Sequence, residues 1–274
     1  MVILSAFADE ISADPEEQLN VLESHGIKHI EFRSIHGTNV LDLSPRQHEE
    51  FRDLLASRGF ALSAIGSPIG KIPISDPFGP HLERFRHAID LAKFHGTTRI
   101  RVFSYYIARD DDPNRHREEV LRRMRAMAEL AETHEVDLVL ENERYIYGDT
   151  AARVLDILRT VDSPRLSHAF DPANYAEIRQ PIDEAWQMLR DRTTHFHVKD
   201  YDPLTGKNVP TGAGVGKIPE LIADAVTHGY RGFCVLEPHL LISELTHGFT
   251  GPERFGDAAT ALQDALRLHD VPFR

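Results

Sequence analysis

The sequence predicts a closed (β/α)8 barrel, and three observations predict it. Eight β-like apolar runs can be marked along the chain, with starts roughly 25 to 40 residues apart, the size of one βα unit. The stretches between them have the polarity pattern of amphipathic helices. At four places such a stretch ends at a Gly and a β-like run begins at once: His25-Gly26-Ile27, Arg58-Gly59-Phe60, His95-Gly96-Thr97 and His228-Gly229-Tyr230. A Gly just past a helix accepts the left-handed conformation that closes its last turn, and a preceding His or Arg suits the negative end of the helix dipole.

Taken in order, the first run lies near 2–7 and meets acidic Asp9-Glu10 directly. It lacks the basic start of a secretory leader, so it reads as a strand, and a cytoplasmic location is expected. The next three runs, near 27–33, 60–66 and 98–104, follow the first three Gly junctions. A fifth, near 136–142, follows the same kind of junction without its Gly, at His134-Glu135. Runs near 165–171 and 193–199 come next, and the eighth, near 232–237, follows Gly229. Residues 105–117 read as a loop and helix start, and 239–257 as a longer loop before a last helix near 253–268. Strands alternating with helices imply a parallel sheet with right-handed crossovers, and eight units favour closure. No linker or low-complexity segment interrupts the series, so residues 1–274 are expected to form one barrel domain.

The chain has 274 residues, near the ~250 typical of a complete eightfold barrel. Hydrophobic residues make up 41% and charged residues 27%, and no apolar run approaches the ~18 residues of a membrane span. Net charge is −12 with no block of Lys or Arg, which argues against a nucleic-acid partner and for a small-molecule substrate. Self-association is left open. Cys234 is the single cysteine, which excludes an internal disulfide and a multi-thiolate zinc site. A bound metal must use oxygen and nitrogen ligands.

Strand side chains alternate, so one parity faces the surrounding helices and the other the barrel interior. Ile30 and Phe32, Ile100 and Val102, Leu138 and Leu140, and Phe196 and Val198 form the apolar, helix-facing set. The opposite parity then brings inward Glu31, Arg33, Arg101, Glu141, Glu143, Asp171, His195, His197, Lys199 and Glu237. Such a set is too charged for an ordinary barrel core, because unpaired buried charge costs several kcal/mol per ion. These groups must pair, bind metal or bind substrate.

Glu141, Asp171, His197 and Glu237 fall at the C-terminal ends of the last four strands, on the rim where barrel enzymes carry their chemistry. Three carboxylates and one imidazole suit one hard or borderline divalent ion: Mn²⁺ first, with Mg²⁺, Co²⁺ or Zn²⁺ as alternatives. His195 has the parity of His197 but lies two residues deeper, which favours a supporting role over ligation. Arg33, Lys71, Arg101 and Lys199 are candidate holders of a substrate carboxylate or phosphate. Glu143, Asn174 and His239 complete the candidate substrate-binding set. Gly212-Ala213-Gly214-Val215-Gly216 reads either as a phosphate-cradling loop or as a turn before a helix.

Through Phe7-Ala8-Asp9-Glu10, Ile30-Glu31-Phe32-Arg33, Leu140-Glu141-Asn142, Phe170-Asp171-Pro172-Ala173-Asn174, His197-Val198-Lys199-Asp200, Gly212 to Gly216 and Leu236-Glu237-Pro238-His239, the chain resembles the xylose isomerase-like barrel superfamily of sugar phosphate isomerases and epimerases. The resemblance implies that Glu141, Asp171, His197 and Glu237 match metal ligands, and that Glu141 and Glu237 also exchange the substrate proton. Ketose 3-epimerases of the superfamily carry a Glu, a His and an Arg where this chain has Tyr147, Asn174 and Pro203, which argues against that one activity.

The expected function is therefore that of a metal-dependent isomerase or epimerase of a small keto-sugar or sugar acid. A metal held by a carbonyl and a neighbouring hydroxyl acidifies the carbon between them and stabilises the resulting enediolate. The same intermediate serves the alternative, a lyase that dehydrates or decarboxylates an oxo sugar acid. A non-catalytic sugar-binding barrel is the third reading.

Overall fold

In the computed structural model, which describes residues 1–243 and 246–274, the expected strands all form, each inside its predicted run. They are β1 (Ile3–Ala6), β2 (His29–Phe32), β3 (Ala61–Ile65), β4 (Arg99–Val102), β5 (Asp137–Glu141), β6 (Leu166–Phe170), β7 (Thr193–Val198) and β8 (Phe233–Leu236). They close into a parallel barrel in which chain neighbours are sheet neighbours and β8 returns to β1.

Between them lie α1 (Pro15–Ser24), α2 (Pro45–Ser57), α3 (Phe78–Phe94), α4 (Arg117–His134), α5 (Ala151–Val161), α6 (Pro172–Glu177), α7 (Ile182–Leu189) and α8 (Ile218–Thr227), and α9 (Pro252–Leu268) follows β8. Their starts are written locally. Asp14 caps α1 by accepting the Glu16 N–H, and Ser44 and Gln47 form a reciprocal capping box on α2; Pro follows the cap in both. At the ends of the helices, Gly26, Gly59, Gly96 and Gly229 all take positive φ, as the junction pattern predicts. At the junction without a Gly, Glu135 takes the left-handed conformation itself, with φ 58°. Among the described residues, no helix is long and apolar enough to cross a membrane.

The chain falls into two compact units, residues 1–63 with 195–274, and residues 64–194. In the first, β1 pairs with β8 from Ile3↔Phe233 to Ala6↔Leu236, and β8 pairs with β7 from Phe233↔His195 to Leu236↔Val198. In the second, β4 pairs with β5 from Arg99↔Asp137 to Val102↔Leu140, and β5 with β6 from Leu138↔Leu166 to Glu141↔Ala169. Ile30, Phe32, Ile100, Val102, Leu138, Leu140, Phe196 and Val198, the helix-facing set, are all buried. Trp186 packs its ring at 5.3 Å from Phe170.

Two features exceed the sequence reading. Short hairpins extend the ends of β2 and β7: Ser34–Ile35 pairs with Thr38–Asn39, and Asp200–Asp202 with Lys207–Val209. The segment expected as a long loop before the last helix contains paired strands Leu241–Ser243 and Thr246–Phe249. These strands span three or four residues, too few for their alternation to stand out in a sequence.

Candidate active site

Within residues 64–194, Glu141 is the last residue of β5 and is buried. Arg101 of the adjacent β4 reaches it, with Nη1 3.2 Å from Glu141 Oε2, and donates from Nη2 to Gly66 O at 3.2 Å. The ends of β5 and β6 are clamped by Asn142. Its Nδ2 donates to Asp171 O at 2.9 Å, and its Oδ1 accepts the Asp171 N–H at 3.0 Å. Asp171 is also the N-cap of α6: Oδ1 accepts the Asn174 N–H at 3.0 Å and Pro172 opens the helix. Asn174 in turn donates from Nδ2 to Asn142 O at 2.8 Å and lies 3.5 Å from Glu141 Oε1. Its amide thus fixes the end of β5, where Glu141 sits. Lys71, after β3, pairs with Glu143 at 3.1 Å and lies over the Phe103 ring at 4.3 Å. Lys71 remains 30% exposed, which makes it the most accessible cation of the expected set.

Within residues 1–63 and 195–274, His197 sits inside β7 with both ring nitrogens directed at carboxylates. Nε2 is 3.3 Å from Glu31 Oε2, and Nδ1 is 3.6 Å from Glu237 Oε2. His195 approaches the same Glu31 oxygen at 2.7 Å. Burial alone pushes the Glu31 carboxyl up, but the charges of His197 and His195 and the hydrogen bonds from both rings hold it well below the usual carboxylate range.

Glu237 follows β8 directly and collects cations. Arg33 Nη1 lies at 3.1 Å, His239 Nε2 at 3.3 Å and Lys199 Nζ at 3.8 Å. Burial again opposes ionisation, yet Lys199, His239 and His197 hold the Glu237 carboxyl well below its ordinary range. Arg33 is fixed from its other side by Asp9, at 2.7 Å, and stacks 4.6 Å from the Phe7 ring centre. His239 lies between Glu237 and Glu10. Its N–H donates to Glu10 Oε2 at 2.8 Å, and its Nε2 is 3.1 Å from Glu10 Oε1. Burial pulls this imidazole down, but the two glutamates outweigh it and raise its pKa to about 9.

The glycine-rich segment has a specific use. Gly212 and Gly214 donate their N–H groups to Asp200 Oδ2 at 2.9 and 3.1 Å, and Gly216 and Tyr201 donate to Oδ1 at 2.8 and 2.9 Å. The cradle of N–H groups that could have held a phosphate is filled by the protein's own carboxylate.

Each expected site residue except Asn174, which lies in the first turn of α6, thus sits near a strand end or in the segment after it, and within each unit they meet in the pairs given. Asp9, Glu10, Asn142 and Asp200 were missed as site-supporting residues. Asn142 and Asp200 lie one residue from Glu141 and Lys199, and Asp9 and Glu10 follow β1, so proximity to strand ends was the available signal. A carboxylate or amide that grips backbone N–H groups from a distant segment has no local pattern to reveal it.

The donors at the strand ends fit a divalent cation. Carboxylate oxygens and one imidazole nitrogen are ligands of a hard or borderline ion, and each of the four residues is buried where an uncompensated charge would be costly.

The family described as xylose isomerase-like TIM barrel matches residues 19–264. The chain is 25% identical over 176 residues to the 3-dehydroshikimate dehydratase of Bacillus anthracis, covering 64% of this chain and 62% of that one. It is 24% identical over 159 residues to the fructoselysine 3-epimerase of Escherichia coli O157:H7, covering 57% and 58%. The match thus spans about six tenths of the length of these curated relatives. A xylose isomerase-like TIM barrel protein from Mycobacterium smegmatis, solved in complex with magnesium, superposes with a TM-score of 0.71 at 22% identity, covering 97% of both chains.

Proposed function

The chain belongs to the xylose isomerase-like TIM barrel family, and on that premise we propose that residues 1–274 act as one barrel domain, a divalent-metal-dependent isomerase or epimerase of a small keto-sugar or sugar acid. One observation carries this reading. In one unit Glu141 ends β5 and Asp171 directly follows β6, in the other His197 lies next to last in β7 and Glu237 directly follows β8, and all four are buried side chains of the oxygen and nitrogen donor types that a divalent ion takes. The relatives, which include epimerases and a dehydratase, support enzymatic work on a small carbohydrate.

A divalent ion held by these four side chains would supply Lewis acidity to a substrate carbonyl and its neighbouring hydroxyl. Mn²⁺ is the ion we propose; the magnesium in the Mycobacterium smegmatis relative supports a hard-ion site. The rest of the work falls to the chain. Glu141 and Glu237 are the proposed proton-transfer pair, and Glu237 is held in the ionised form that a base requires. Arg101 and Asn174 hold Glu141, while Arg33 and His239 hold Glu237. Lys71 and Lys199 are the proposed contacts for an anionic substrate group, with Glu143 set against Lys71 to receive hydroxyls.

The similarity to a 3-dehydroshikimate dehydratase supports a second reading, a lyase that removes a β-hydroxyl from an oxo acid after the same proton abstraction. Incubating the Mn²⁺-loaded protein in D₂O with a panel of keto-sugars and oxo sugar acids separates the two by mass. An isomerase or epimerase returns product with one deuterium and unchanged heavy-atom composition, whereas a lyase releases water or CO₂. Neither exchange nor mass change across the panel would overturn both in favour of a non-catalytic sugar-binding barrel.

A further inference from the structure

Glu31 is fully buried, and its Oε2 faces two imidazoles of one strand: His195 Nε2 at 2.7 Å and His197 Nε2 at 3.3 Å. Both rings turn the same nitrogen to the carboxylate. A neutral imidazole that donates to Glu31 therefore carries its proton on Nε2, which leaves Nδ1 as the lone-pair atom. For His197 that Nδ1 lies 3.6 Å from Glu237 Oε2. A metal-ligating histidine commonly takes this form, one ring nitrogen toward the ion and the other donating to a carboxylate that fixes the tautomer, orients the ring and raises its basicity.

We infer that Glu31 is a positioning residue for the proposed metal centre: it holds the Nε2–H of His197 so that Nδ1 is presented to the ion beside Glu237, while His195 holds Glu31. This inference rests on the metal-binding reading given above. The Phe7 ring, edge-on to His197 at 5.1 Å between centroids, walls the imidazole on another side and limits its rotation. The second donor matters as well. A buried carboxylate is costly unless its lone pairs are used, and His195, two residues deeper on β7, supplies the shorter of the two hydrogen bonds. The same three groups also offer ligand atoms within 4.8 Å of one another, so a separate ion bound by Glu31, His195 and His197 is the competing use of this geometry.

The test is calorimetric titration of metal-stripped full-length protein with Mn²⁺ alone, comparing wild type, Glu31→Gln, Glu31→Ala, His195→Ala and the double variant Glu31→Ala with His195→Ala, with the melting temperature of each metal-free form recorded. The expected result is one ion per chain throughout, with affinity reduced about 100-fold in Glu31→Ala and about 10-fold in Glu31→Gln, whose amide oxygen keeps the acceptor without the charge. His195→Ala should fall between wild type and Glu31→Ala, and the double variant should be no worse than Glu31→Ala, because His195 acts through Glu31. Should Glu31→Ala not fold, the isosteric Glu31→Gln still carries the test. Wild-type Mn²⁺ affinity in folded Glu31 variants would overturn the positioning role and leave the metal centre standing. Two ions per wild-type chain, falling to one in His195→Ala, would overturn it in favour of a second ion site. No binding by wild type would overturn both this inference and the metal reading beneath it.

Discussion

The Asp200 carboxylate accepts the backbone N–H of Gly214 at 3.1 Å, fourteen residues further along the chain. Gly212, Gly216 and Tyr201 complete the ring of donors, which ties the rim loop to the residue directly after Lys199. A Cβ at position 214 would overlap both Asp200 Oδ1 and Tyr201 O, backbone and carboxylate that cannot step aside cheaply. Gly214→Ala is therefore expected to cost about 1–3 kcal/mol, read as a lower melting temperature, and to speed proteolysis within residues 201–217. Unchanged melting and unchanged cleavage would show that the loop does not depend on this packing.

A pH-dependent stability should come from His81. Its Nε2 accepts the N–H of Gly70 at 2.8 Å, the residue before Lys71, so the ring must be neutral to make this bond. Burial, then the nearby charges of Arg123 and Arg84, depress the His81 pKa from 6.5 to about 4. The unfolded chain binds a proton in that window that the folded chain does not. Stability is thus fully present above the unfolded pKa and declines as pH falls from about 6.5 toward 4, with a loss of about 2 kcal/mol by pH 5. His81→Gln keeps an acceptor for Gly70 but does not titrate. Melting curves at pH 7.5 and 5 should show a smaller drop in the variant than in wild type; equal drops would remove His81 from the account.

Lys71 should set affinity rather than rate. It is the most accessible cation of the expected set and stands 3.1 Å from Glu143, so a substrate carboxylate can take its charge. With an anionic substrate, Lys71→Met is expected to raise KM about 10-fold or more while kcat changes little, the loss of one charged hydrogen bond. A neutral sugar should show no difference. A fall in kcat with KM intact would instead place Lys71 in the chemical step.

The paired glutamates have a role that ligation alone does not establish. Glu141→Gln and Glu237→Gln each keep an oxygen for an ion and lose the basic carboxylate. Solvent deuterium exchange into substrate should fall by about 10²-fold or more in either variant, with Mn²⁺ still bound. Exchange at the wild-type rate in both would move the base to Glu143 or Lys199.

The barrel was legible because its signals are local. Gly26, Gly59, Gly96 and Gly229 mark helix ends, and strand alternation separates Ile30 and Phe32 from Glu31, or Phe196 and Val198 from His195 and His197. The same parity picked out the charged strand ends. What stayed hidden is the partnering of those charges. Nothing near Glu31 in the chain says that it meets histidines 164 and 166 residues away, and nothing near Glu10 says that it receives His239 and Thr250. The glycines of 212–216 could be seen as a cradle, but only the fold shows Asp200 inside it. The hairpin strands Leu241–Ser243 and Thr246–Phe249 were too short to carry a period.

Whether Glu141, Asp171, His197 and Glu237 hold one divalent ion is decided by equilibrium dialysis of metal-stripped protein against Mn²⁺, with wild type and His197→Ala measured side by side. One Mn²⁺ per wild-type chain is expected, with a large loss of binding when the imidazole is removed. A wild-type chain that binds no ion, or a His197→Ala variant that keeps full occupancy at wild-type affinity, would contradict it.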